Sequence, residues 1–76
     1  MLYKKYHRNY VSQFKKGVKV KFMYNDMIYE VVKEPYYSND NHRIEFRSSS
    51  YFCIWLLIYP SGFINYDIKI VGENAV

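Results

Sequence analysis

A chain of 76 residues with a single cysteine has no internal disulfide to brace it, so a hydrophobic core near the minimum workable size must carry the fold. Half of the residues are apolar, and the ten Tyr, five Phe and one Trp offset the small size, because each aromatic buries a large area. The longest apolar run, Tyr51 to Tyr59, is far shorter than the ~20 residues of a membrane helix, and no apolar segment follows the charged Met1 to Arg8 as a signal peptide would need. These features predict a single cytoplasmic domain over residues 1–76 that does not associate with membranes. Charge is unevenly placed. All Lys/Arg of the first 25 residues lie on a segment without Asp or Glu, and every acidic residue falls at Asp26 or later. The net charge of +4 is therefore a basic amino-terminal arm on a mildly acidic body.

The chain opens with a predicted basic amphipathic helix in residues 1–17. Placed on a helix, Leu2 to Lys16 gathers Leu2, Tyr3, Tyr6, Tyr10 and Phe14 into one arc, with Lys4, Arg8 and Lys15 opposite and Gly17 as the stop. Tyr is a mediocre helix former and no N-cap is evident, so this helix depends on tertiary packing. The body, residues 18–71, opens with Val18 to Lys33, which alternates on both sides of Asn25-Asp26 and predicts a hairpin with a two-residue turn. That register pairs Phe22 with Tyr29 and Val20 with Val31 on the inner face, and Lys21 with Glu30 outside. Glu34 to Asn41 reads as a loop by its turn residues. Arg43 to Arg47 alternates charge with Ile44 and Phe46, a half-buried strand, and Ser48 to Ser50 is a connection.

Tyr51 to Tyr59 reads as a central strand, apolar on both sides. Pro60-Ser61-Gly62 forms a turn with Gly62 left-handed, leading to the alternating strand Ile64 to Ile70 and a tail at residues 72–76. A continuing hairpin would place Phe52, Ile54, Leu56 and Ile58 beside that strand. The second row, Cys53, Trp55 and Leu57, would then be covered by Tyr6, Tyr10 and Phe14 of the helix. The expected fold is α+β and mostly β: an N-terminal helix and a five-stranded antiparallel meander. Five strands this short curl readily, and in architecture the body resembles a Src homology 3-like small barrel, although the acidic-aromatic signature and paired tryptophans of that family's ligand site are not in the chain.

Motifs of catalysis, metals or nucleotides are not evident. Cys53 lies in the most apolar run and reads as a packed thiol. His7, His42 and one Cys lack metal-ligand spacing, and His42 near Asp40 and Ser48 to Ser50 has no orienting partner for acid–base work. No enzymatic activity and no cofactor are expected. Tyr36 and Tyr37 follow Pro35 in a polar loop, where binding residues are commonly carried, and with Trp55 they are the candidate partner-binding residues. Lys4, Lys5, Arg8, Lys15, Lys16, Lys19 and Lys21 form the candidate nucleic-acid contact, suited to phosphates. In size, single-domain character and richness in Asn, Lys, Tyr and Ile, residues of AT-rich codons, the chain resembles the short early proteins of bacteriophages and prophages. That resemblance implies a non-enzymatic module that binds and modulates a host protein. A nucleic-acid-binding module and an obligate homodimer paired through the Trp55 face are the alternatives.

Overall fold

The structure, a computed structural model, describes the backbone of residues 2–49 and 51–72, with side chains from residue 7 onward. It is mostly β, as the sequence predicts. Helix α1 (Leu2–Val11) precedes strands β1 (Lys19–Phe22), β2 (Ile28–Val31), β3 (Tyr36–Ser38), β4 (Asn41–Arg47), β5 (Phe52–Ile58) and β6 (Ile68–Gly72). All pairings in the sheet are antiparallel. The long strand β4 holds it together: β2 and β3 share one edge of β4, β5 takes the other, and β1 and β6 extend the sheet beyond β2.

The helix stops six residues short of Gly17. Ser12 N–H still bonds Arg8 O at 2.9 Å, but Gln13 and Phe14 N–H tighten onto Tyr10 O and Val11 O. The Ser12 hydroxyl and Gln13 amide both turn back to Asn9 O, competing with helical continuation. This ending swings Phe14 into the core, where it is 2 % exposed. Gly17 instead serves the entry to β1. At φ 94° it occupies the left-handed region, and its N–H bonds Val31 O at 2.8 Å. Tyr6 lies outside the described side chains.

The first hairpin has the predicted faces and a different register. Val20 stands opposite Tyr29 and Lys19 opposite Glu30, a slide of two residues. Side chains alternate with period two, so this slide leaves every residue on its expected face. Val20, Phe22, Tyr29 and Val31 are buried. The slide follows from the turn. Neither Asn25 nor Asp26 adopts the positive φ that a two-residue turn of this kind requires. Asn25 Oδ1 instead accepts Met27 N–H at 2.9 Å, Met23 N–H is held by Asp67 O at 3.0 Å, and the Tyr24 ring stacks on Phe22 at 5.9 Å. The tight turn is at Asn39-Asp40, with φ values of 50° and 63°. It converts part of the expected loop into the hairpin β3–β4, with Ser38 opposite Asn41.

The largest correction concerns β5. It is an edge strand, bonded along its length to β4 and joined to later chain by the bridge Ile58↔Ile64. The expected pairing with the last strand begins at that bridge and goes no further. Asn65, 3 % exposed, ends it. Its N–H bonds Leu57 O at 2.9 Å, its Nδ2 bonds Leu56 O at 3.0 Å, and its Oδ1 accepts Asp67 N–H at 2.9 Å. The chain then crosses over, with Tyr66 exposed, and β6 pairs with β1, Val20 opposite Ile70 and Phe22 opposite Ile68. The sheet consequently has six strands with non-sequential neighbours, where the sequence predicts a five-stranded meander, and it is not closed into a barrel.

The faces of β5 are also reversed. Its orientation is dictated by β4, where Ile44 and Phe46 point inward and bring their partners Trp55 and Cys53 with them. Trp55 packs on Phe22, ring centroids 4.8 Å apart, while the Tyr10 ring meets Phe14 and Tyr66. Phe52 and Ile54 face solvent at 55 % and 47 % exposure. A register shift near His42/Arg43 puts both Leu57 and Ile58 inside.

Phe22→Ala should cost ~3–5 kcal/mol in urea unfolding, as for other buried aromatics. Lys21→Ala, which removes only a solvent-exposed pair with Asp26, should cost less than ~1 kcal/mol. A Lys21 variant as damaging as the Phe22 variant would contradict these faces.

Candidate recognition surface

The Asn39-Asp40 turn fixes two strands so that Tyr37 and His42 form a cross-strand pair, with ring centroids 4.8 Å apart and tilted edge to face. Alternation along β3 sends neighbouring Tyr36 to the other face. There its hydroxyl donates to Glu45 Oε2 at 2.7 Å and Lys33 Nζ lies 4.6 Å from its ring centre. The hydrogen bond to the Glu45 carboxylate, with a smaller contribution from burial, raises the Tyr36 pKa above its ordinary value. Tyr37 remains 62 % exposed.

Tyr37 and His42 form one wall of a cleft of about 720 Å³. Helix α1 supplies His7, Arg8 and Val11 opposite, and the turn after β5 supplies Tyr59 and Pro60. That turn is as the sequence predicts: Gly62 sits at φ 90° and donates to Tyr59 O at 2.9 Å. It leaves Tyr59 and Phe63 at the surface, ring centroids 5.8 Å apart. The cleft has an apolar lining from Val11, Pro35, Ile58 and Pro60, with Arg8, Glu34 and Asp40 contributing charges of both signs.

Helix α1 is held over this region by Tyr10, whose hydroxyl donates to Asn65 O at 2.6 Å. Burial, then the neighbouring Tyr66, pushes the Tyr10 pKa up to about 12. His42 moves the other way. Loss of solvent, reinforced by the charge of His7, holds its imidazole below the usual histidine value.

Of the three sequence candidates for partner binding, the structure brings only Tyr37 to this cleft. Tyr36 is on the opposite face, and Trp55 is partly buried against the core. The basic residues are dispersed. Arg8 lines the cleft; Lys15 and Lys16 are exposed between α1 and β1, with the Lys16 backbone N–H bonded to Glu34 Oε2 at 3.0 Å. On the outer face of β1, Lys19 Nζ lies 3.4 Å from Glu30 Oε1 and Lys21 Nζ lies 3.3 Å from Asp26 Oδ1. Lys4 and Lys5 lie outside the described side chains. Sequence reasoning missed the cleft itself. Its one legible signal is Asn39-Asp40, a turn pair that the sequence hides inside a longer polar segment. Among the described residues, no helix is long and apolar enough to cross a membrane. No family model, curated protein or solved structure matches the chain.

The lowered His42 pKa sets a pH dependence. Between the folded and unfolded pKa values the unfolded chain binds more protons, so stability rises with pH. This contribution is complete above the unfolded value of about 6.5. It is lost as pH falls through that value and the lowered folded one. Urea midpoints should therefore drop on acidification through this window, and His42→Gln should flatten the drop. An equal drop in both proteins would exclude His42 as its source.

Proposed function

We propose that the chain is a small non-enzymatic binding module that acts through a protein partner, and that the cleft between α1, the β3–β4 hairpin and the turn after β5 is its recognition surface. The observation that carries this reading is the exposed Tyr37 ring, held against His42 at the rim of an apolar-lined cleft. A rigid, amphipathic Tyr on a tight hairpin offers contact area at small entropic cost, and such residues are enriched at interfaces. Tyr59 and Phe63 extend the exposed aromatic surface beside it. Arg8, Glu34 and Asp40 can fix the orientation of a partner's polar groups around the apolar lining. The resemblance to phage early proteins points to a host protein as that partner. Nucleic-acid binding has weaker support, because Lys19 and Lys21 already face carboxylates and Arg8 lies apart from them.

Affinity capture with the intact chain, with and without nuclease, tests this proposal. A specific protein should be retained after nuclease treatment, and Tyr37→Ala should lose it while the circular dichroism of the fold is unchanged. Retention undiminished in Tyr37→Ala would remove the cleft from recognition. Loss of all captured material on nuclease treatment would favour nucleic acid over protein.

A further inference from the structure

Independently of the cleft, β5 has an outer edge that β4 does not occupy. Ser48 N–H bonds Tyr51 O at 2.9 Å at the start of the β4–β5 hairpin. Main-chain groups alternate sides along an antiparallel strand. Cys53 and Trp55 therefore bond to Phe46 and Ile44, while Phe52, Ile54 and Leu56 direct their N–H and C=O groups away from β4. Two bonds agree with this phase: Val32 N–H reaches Glu45 O from the far side of β4, and Asn65 Nδ2 reaches Leu56 O at the outer edge of β5. Asn65 thus occupies the carboxyl-terminal end of the edge, and Phe52 and Ile54 have no main-chain partner on that side among the described residues. Edge strands of soluble proteins are ordinarily guarded by charge, proline or bulges. In this chain the bulge near Leu57 and Pro60 both lie toward the carboxyl-terminal end of the strand, no residue from Ser48 to Tyr66 carries a charge, and Phe52 and Ile54 are exposed.

We propose that β5 pairs antiparallel with β5 of a second copy, in a two-fold dimer centred on Cys53. Antiparallel pairing of a strand with itself is self-complementary and closes at two copies. Two features select the centre. Placing Phe52 opposite Ile54 of the second copy uses the free main-chain groups and spares Leu56 O, which Asn65 has taken. It also orders the outer face. With Arg47 beside Phe52 and Glu45 beside Ile54 in each copy, every row across the dimer runs from a cation through two apolar side chains to an anion. A centre on Ile54 would end its rows in like charges, Glu45 with Glu45 and Arg47 with Arg43.

The same register sets Trp55 opposite Tyr51 of the second copy. Trp55 is only partly buried at this edge and Tyr51 is 58 % exposed. The dimer thereby adds a cross-strand aromatic pair at each end of the paired segment. Cys53 faces its own copy as a non-hydrogen-bonded pair, at a Cα separation of about 4.5 Å that a disulfide can span.

The intact chain, studied by sedimentation and by oxidation with copper phenanthroline, tests this arrangement. Each cross-link would join two Cys53 thiols, their two protons and two electrons passing to the oxidant. The native chain should sediment as a dimer and cross-link rapidly, whereas the same concentration in urea should cross-link slowly. Ile54→Lys, confirmed as folded by circular dichroism, should be monomeric and lose the rapid cross-linking. Should that variant fail to fold, the contrast between native and urea-treated wild type decides alone. A native monomer, a dimer whose Cys53 thiols react no faster than in urea, a folded Ile54→Lys dimer or open-ended assembly would each overturn the proposal.

Discussion

The ring of Phe22 is the contact on which the rest of the fold depends. It meets Trp55 at 4.8 Å, Phe46 at 5.0 Å, Tyr29 at 5.5 Å and Tyr24 at 5.9 Å. These residues come from β1, β2, β4, β5 and the first hairpin loop, so one side chain ties together parts of the sheet far apart in sequence. Aromatic pairs of this geometry contribute about 0.5–1.5 kcal/mol beyond their buried area. In a chain without a disulfide, such concentrated packing takes the place of a covalent staple. The face that β4 imposes on β5 is the one that meets it. Trp55 points inward to meet Phe22, and Phe52 and Ile54 are then necessarily on the solvent side.

Asn65 supplies the complementary constraint, which is polar. A buried amide left unpaired would cost the fold substantially. In this fold its N–H, Oδ1 and Nδ2 are all bonded, and its main-chain oxygen receives the Tyr10 hydroxyl. The same residue stops the pairing of β5 with later chain, sends β6 to β1 and anchors α1. The open edge of β5 and the cleft beneath α1 are therefore both consequences of one satisfied asparagine. The first is where we propose self-association, the second where we propose a partner's side chains bind, and they use different surfaces.

Residues whose alternation is strict are legible from sequence. Val20, Phe22, Tyr29 and Val31 are buried, as are Ile44 and Phe46, because polar neighbours leave only one workable face. Even the misread register of the first hairpin keeps its faces, since the slide is by two. Tyr51 to Tyr59 is different. With apolar residues on both sides its pattern holds no information about orientation, and β4 has to supply it. Nor does sequence distinguish two Asn-Asp pairs. Asn25-Asp26 reads as the tight turn that Asn39-Asp40 makes, a distinction settled by Asp67 holding Met23 and by Phe22 holding Tyr24. Of the candidate site, Tyr37 is legible as a loop aromatic. Its cleft is not, because His7, His42 and Tyr59 converge only through the crossing that Asn65 directs.

Proton–proton contacts of the single tryptophan test the central claim most directly. In a nuclear Overhauser spectrum of the intact chain, the Trp55 indole should show cross-peaks to the Phe22 ring and none to Tyr10. Trp55 cross-peaks to Tyr10 in place of Phe22 would mean that the helix, and not the strand-borne Phe22, covers this row. Phe22 would then not be the contact on which the packing of β5 depends.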